Sequence, residues 1–178
     1  MKNLISRKSF MLSLMAMLMS VSLFAQDKPQ RQSPAATAEG TIHGAAITIK
    51  YSSPAVKGRK IWGDLVPFDK VWRAGANEAT IFETSKAIKV EGKTLPAGKY
   101  SLYLTPGENE WKVIFNSQTG QWGINRDGST TDDATKDVLV VTVKPKKSAT
   151  MEERLVYRIT KTGFEMAWDN LVVPVTIK

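Results

Sequence analysis

The chain of 178 residues contains no cysteine. No disulfide supports its fold, and no thiol exists to carry a lipid thioether, so lipoprotein anchoring is excluded. Histidine occurs once, at His43. Zinc and iron sites draw on two or more His or Cys ligands, so none can be assembled, and no metal or cofactor is expected. A Ser-His-Asp triad could be built only around His43, which reads as a turn or strand-end residue, and the chain has no G-x-S-x-G elbow. A G-x-x-x-x-G-K phosphate loop is missing, and no serine is followed three positions on by lysine. Catalysis is left with paired carboxylates facing across a cleft, for which Glu78 with Asp64, Asp69 or Glu83 is the candidate set.

Long apolar runs are missing too, with one exception. Phe10 to Ala25 follows Lys2, Arg7 and Lys8 and reads as an export signal over residues 1–25, too short to span a bilayer comfortably. Cleavage falls after Ala25 or at the Ser20-x-Ser22 alternative; an uncleaved signal anchor is the other option. A cleaved chain of about 150 residues makes one domain with no membrane span, periplasmic or secreted, and large enough to bury an adequate core. The formal net charge of +8 falls by three with the signal, a modest basic excess. Lys144, Lys146 and Lys147 form the tightest basic cluster and have no interleaved aromatics, so a solvated face is expected there and no nucleic-acid partner.

No stretch of ten or more residues beyond the signal holds a strong 3.6-residue period. The best helical candidate is a single turn near Asp64–Val71, limited by Pro67. Period two dominates instead. Ile47, Ile49 and Tyr51 share one side of a strand, as do Tyr100, Leu102 and Leu104; Trp111, Val113 and Phe115; Leu139, Val141 and Val143; and Leu155, Tyr157 and Ile159. Phe164, Met166 and Trp168 continue the pattern, then Leu171, Val173, Val175 and Ile177, with Ile81–Thr84 and Ile88–Glu91 as shorter strands. Turn chemistry at Gly107-Glu108-Asn109, Thr162-Gly163 and Asp169-Asn170 separates the runs. Pro174 demotes the last run to an edge or a bulge. These features predict an all-β, single-domain antiparallel β-sandwich of about 8–10 short strands over residues 38–178, after a flexible lead-in at 26–37.

Two long insertions break the alternation. Residues 51–80, YSSPAVKGRKIWGDLVPFDKVWRAGANEAT, crowd together Trp, Arg, Gly, Pro and an Asn-Glu pair. A long irregular segment in a regular domain is functional or disordered, and its two Trp residues argue for order. That string, followed by LPAGKYSLYLTPGENEWKVIFN and by QWG at 121–123, resembles a bacterial exported family catalogued as domain of unknown function 2911, from about Ser33 to the end. The resemblance implies an envelope or secreted β-rich domain and carries over no catalytic residue. LPAGKYSLYLTPG is also similar to strand openings in prealbumin-like and immunoglobulin-like modules, which implies a sandwich and nothing more.

The candidate ligand-binding set is Arg59, Trp62, Trp72, Arg73, Asn77 and Glu78, joined by Trp122 from the second insertion as an exposed platform or a lid over the core edge. Trp and Arg supply stacking faces and directed donors, and sugars are gripped by an aromatic platform with Arg, Asn and carboxylate hydrogen bonds. The structural alternative has the Trp side chains sealing one end of the sandwich, Arg73 paired with Glu78, and Asn77 capping a turn. Asn125 to Asp133 is oxygen-rich but has glycine at its fourth position and Lys136 where a calcium loop closes with an acid, so a solvated loop is expected. The functional expectation is an exported non-catalytic binding domain for a glycan or other polar envelope polymer. The alternatives are a carboxylate-dependent polysaccharide hydrolase or lyase, and a structural or interaction domain using an exposed edge strand.

Overall fold

Where the sequence alternates, the chain is strand. The computed structural model describes residues 30–178; the signal expected at 1–25 lies outside the described residues. The strands are β1 (Ala35–Ile42), β2 (Ala45–Ser52), β3 (Thr80–Thr84), β4 (Ile88–Val90), β5 (Lys93–Leu95), β6 (Gly98–Thr105), β7 (Trp111–Asn116), β8 (Asp137–Val143), β9 (Lys146–Thr160) and β10 (Gly163–Thr176). All their pairings are antiparallel. The described residues contain no α-helix, only a short 3-10 turn at Ala134–Lys136. The expected helical turn near Asp64–Val71 is instead a set of tight turns, closed where Val66 N donates to Ile61 O at 2.9 Å.

Six strands form one sheet in the order β1-β2-β3-β6-β7-β8. The β9–β10 hairpin faces it, and two further segments widen this second layer. Ile177, just past β10, bridges Val90 of β4, and Lys89 and Lys178 exchange backbone hydrogen bonds at 2.8 and 2.9 Å. Along the free edge of β9, Val56 N donates to Glu153 O at 2.7 Å and Leu155 N to Pro54 O at 2.9 Å. The final run is therefore paired within the chain, which counts against its use as an open docking edge. Between the layers lie Ile47, Ile49, Phe82, Leu102, Val113 and Phe115 from the sheet, and Leu155, Tyr157, Phe164, Met166 and Val175 from the hairpin. Phe82 and Phe164 meet ring to ring at 5.5 Å, and Tyr51 meets Tyr157 edge-on at 4.9 Å. This is the expected antiparallel sandwich.

Three local readings need correction. Asp169-Asn170 does not reverse the chain: it is a bulge inside the continuous β10, with register shifts on both sides and Asp169 at φ 53°. The left-handed conformation that Asp tolerates in a turn also lets it take up an extra residue in a ladder. β1 opens at Ala35, so residues 35–37 of the expected lead-in are strand. β9 begins at Lys146, well before Leu155, because its polar first half pairs with Asp169, Leu171 and Val172 of β10. Pro174 sits past Val172, the last residue of β10 paired with β9, where its missing N–H costs no ladder bond.

The outer face of the main sheet is not all solvent. Ser101, Tyr103, Ile114 and Asn116 are buried there, and Ala79, Tyr103 and Ile114 form a small apolar cluster with Val71 and Val140. The two insertions cover this face.

Candidate functional site

Residues 53–79 pass from one layer to the other around an end of the sandwich. They first lie along β9, where Lys57 and Gly58 turn the chain at φ 48° and 67°, closed by Arg59 N donating to Val56 O at 3.0 Å. Consecutive positive φ values define the tight primed turn that suits hairpins. Trp72 then bridges Leu104 of β6, with exchanged hydrogen bonds of 2.7 and 2.9 Å. Next comes Ala74, wholly buried at φ 54°. A left-handed alanine costs about 1–2 kcal/mol. Two hydroxyls hold it there, Tyr157 Oη at 2.9 Å and Thr80 Oγ1 at 3.0 Å, both donating to Ala74 O. Asn77, at φ 60°, bends the chain again onto the outer face, where Gly123 N donates to Asn77 O and Glu78 bridges Trp122.

Trp62 stands at the centre of the crossing. Its ring packs edge-on against Trp72 at 5.9 Å, Trp111 at 4.8 Å and Trp168 at 5.7 Å, while Trp72 and Trp168 stack at 5.8 Å with planes 17° apart. Such pairs contribute about 0.5–1.5 kcal/mol each beyond their buried area. The indole N–H groups of Trp62, Trp111 and Trp168 find no hydrogen-bond partner, so ring packing holds the quartet against that loss. The expectation that Trp side chains seal one end of the sandwich holds for Trp62, which is 9% exposed and backs the site without facing it.

In front of the stacked pair lies a hollow of about 220 Å³. Trp72 and Trp168 form its apolar side, Leu65 stands on its rim, and Lys57, Arg59 and Arg73 bring three cations; no acidic residue lines it. Arg59 is tied down by its Nε donating to Val56 O at 3.0 Å. Arg73 is not: its Nε is buried without a hydrogen-bond partner. Burial lowers its guanidinium pKa, and no acid offsets the desolvation. Its stem lies across Gly123, where a Cβ would fall 2.1 Å from Arg73 Cδ, so glycine is required for the side chain to pass.

A second hollow of about 530 Å³ adjoins the first and shares Leu65, Trp72 and Arg73 with it. It adds Lys70, Ser129, Thr130 and Asp132. The Asp132 carboxyl is pushed up to about 6, first by burial and then by the charges of Asp137 and Asp133, against a lowering hydrogen bond from Asn116. Elsewhere in this loop the acids serve the loop itself, as where Asp127 Oδ1 accepts from Ser129 N and Oγ at 2.9 and 2.6 Å. Among the described residues no group of three or more His, Cys, Asp or Glu could hold a metal ion.

Of the expected ligand-binding residues, Arg59, Trp72 and Arg73 meet at the first hollow, while Trp62 lies behind it. Asn77 does not line it; its Nδ2 donates to the backbone O of Ser33, a lining residue, at 3.1 Å. Glu78 and Trp122 lie on the outer face and line neither hollow; Trp122 is 50% exposed. Lys57, Trp168 and Asp132 were missed. The Lys57-Gly58 doublet is a turn signal that placed Lys57 beside Arg59, whereas nothing local marks Trp168, a strand residue that reaches the site through the sandwich.

No helix among the described residues is long and apolar enough to cross a membrane. Neither a curated protein nor a solved structure matches the chain. A family model described as a protein of unknown function does match, over residues 33–177, and the chain belongs to that family, DUF2911.

Proposed function

We propose that this is an exported domain that binds a polar polymer of the cell envelope, a glycan above all, by an anionic group and does not transform it. The observation that carries the reading is Arg73. A half-buried guanidinium whose desolvation no carboxylate offsets is unfavourable in the free protein, and a ligand anion supplies the opposite charge. Lys57 and Arg59 add charge of the same sign, and the half-buried Trp72, backed by the buried Trp168, offers an apolar surface beside it. Hydrolysis by two carboxylates is less well supported, since the first hollow has no acid and the second has Asp132 alone.

Affinity electrophoresis tests this. The protein runs through gels cast with an acidic polysaccharide, with a neutral one, or with none. Retardation is expected in the acidic gel, and Arg73→Met abolishes most of it with folding intact. Equal mobility of the wild type in all three gels refutes the reading.

A further inference from the structure

The two hollows differ in chemistry, and the difference specifies a ligand. Alone, the first falls below the roughly 300–1,000 Å³ of a site for a drug-sized molecule, whereas the two together fall within it. Leu65, Trp72 and Arg73 line both hollows and so form the saddle where the two meet. The first hollow offers donors and positive charge with no acid. In the second, Lys70 and the shared Arg73 face an acid, Asp132, so the positive excess is smaller, and the oxygens there are acceptors. Thr130 Oγ1 already donates to Val71 O, and Ser129 Oγ donates to Asp127 Oδ1 while accepting from Asn125 Nδ2 at 3.0 Å, so neither hydroxyl has a free hydrogen and each keeps acceptor capacity, one lone pair in the case of Ser129. A site with such acceptors suits a partner rich in O–H donors.

We infer that the site reads an acidic oligosaccharide at least two units long: a carboxylated sugar in the first hollow, a neutral hydroxylated sugar in the second, and the glycosidic linkage over the Leu65–Trp72 saddle. This rests on the anion-binding reading above and adds length and order to it. Arg73 lies on both sides of the saddle and so contacts both units. A second acid next along the chain would meet Asp132 as well as Lys70, whereas a neutral sugar meets no like charge, which makes alternating acidic and neutral sugars better ligands than an all-acid polymer.

Isothermal titration calorimetry of the purified protein separates the possibilities. The probes are glucuronate, a disaccharide of glucuronate linked to glucose, cellobiose, and digalacturonate. The mixed disaccharide is expected to bind at least tenfold tighter than glucuronate, with digalacturonate between them and cellobiose weakest. Asp132→Asn, checked for folding by urea denaturation, brings the mixed disaccharide about tenfold down towards glucuronate, leaves glucuronate unchanged, and strengthens digalacturonate. Equal affinity for glucuronate and the mixed disaccharide overturns the two-unit inference and leaves anion binding standing. Failure of every acidic probe, or cellobiose binding as tightly as the mixed disaccharide, overturns the anion reading as well.

Discussion

Replacing Arg73 by methionine separates a binding residue from a structural one, because the two roles predict opposite changes in stability. Methionine keeps an unbranched stem of similar reach, so the passage across Gly123 stays filled, while the charge and the partnerless Nε are lost. A fully buried ion costs several kcal/mol to desolvate; discounted for the solvent that reaches this half-buried group, removing it is worth about 0–1 kcal/mol in favour of the fold. For a domain of this size that is a rise of up to about 3 °C in Tm. Binding to an acidic glycan moves the other way: losing a charge-assisted hydrogen bond of about 1.5–3 kcal/mol weakens it roughly 10- to 150-fold. Urea denaturation and calorimetry on the same preparations measure both. A stability loss greater than about 1 kcal/mol with unchanged affinity would make the guanidinium a structural group and remove the main support for the binding reading.

Tyr157→Phe removes one of the two hydroxyls holding the left-handed Ala74, and the fold should lose about 1 kcal/mol in urea denaturation; an unchanged midpoint would mean that Thr80 alone suffices. Gly163→Ala places a Cβ 1.9 Å from Val175 O, and a loss of about 3 kcal/mol or failure to fold is expected, since backbone cannot yield as a side chain does. Asp132 has a folded pKa near 6, above its value of 3.8 in an unfolded chain, so between these the native state keeps a proton that the unfolded state has released. Stability therefore falls as pH rises from about 4 to 6, by about 1 kcal/mol after discounting for solvent screening, and Asp132→Asn flattens that part of the profile. Parallel pH profiles for the two proteins would count against the shift.

The layered fold was legible because burial imposes period two on a strand, and Ile47, Ile49 and Tyr51, or Val113 and Phe115, carry that signal in the residues themselves. β1 escaped because its inward positions, Ala36 and Ala38, are too small to stand out as apolar. Asp169 misled because the same left-handed preference serves a reversal and a bulge. For the site, the irregular insertion pointed to Arg59, Trp72 and Arg73, since crowded Trp and Arg outside strands are unusual wherever they occur. The rest depended on the path of the backbone. Positive φ values at Ala74 and Asn77 turn the chain so that Glu78 reaches the far face of the sheet, although it is only five residues from Arg73. Trp168 arrives from β10 because the hairpin folds over the sheet, a long-range event that no local pattern records.

The stacked Trp72 and Trp168 also make this protein its own optical reporter. Trp72 borders the first hollow with the buried Trp168 stacked against it, so an occupant changes the polarity around an emitting ring that is in contact with Trp168 and Trp62. A shift in ultraviolet emission on titration gives a label-free screen of envelope fractions, in which Trp122, half in solvent on the outer face, contributes a red-shifted background.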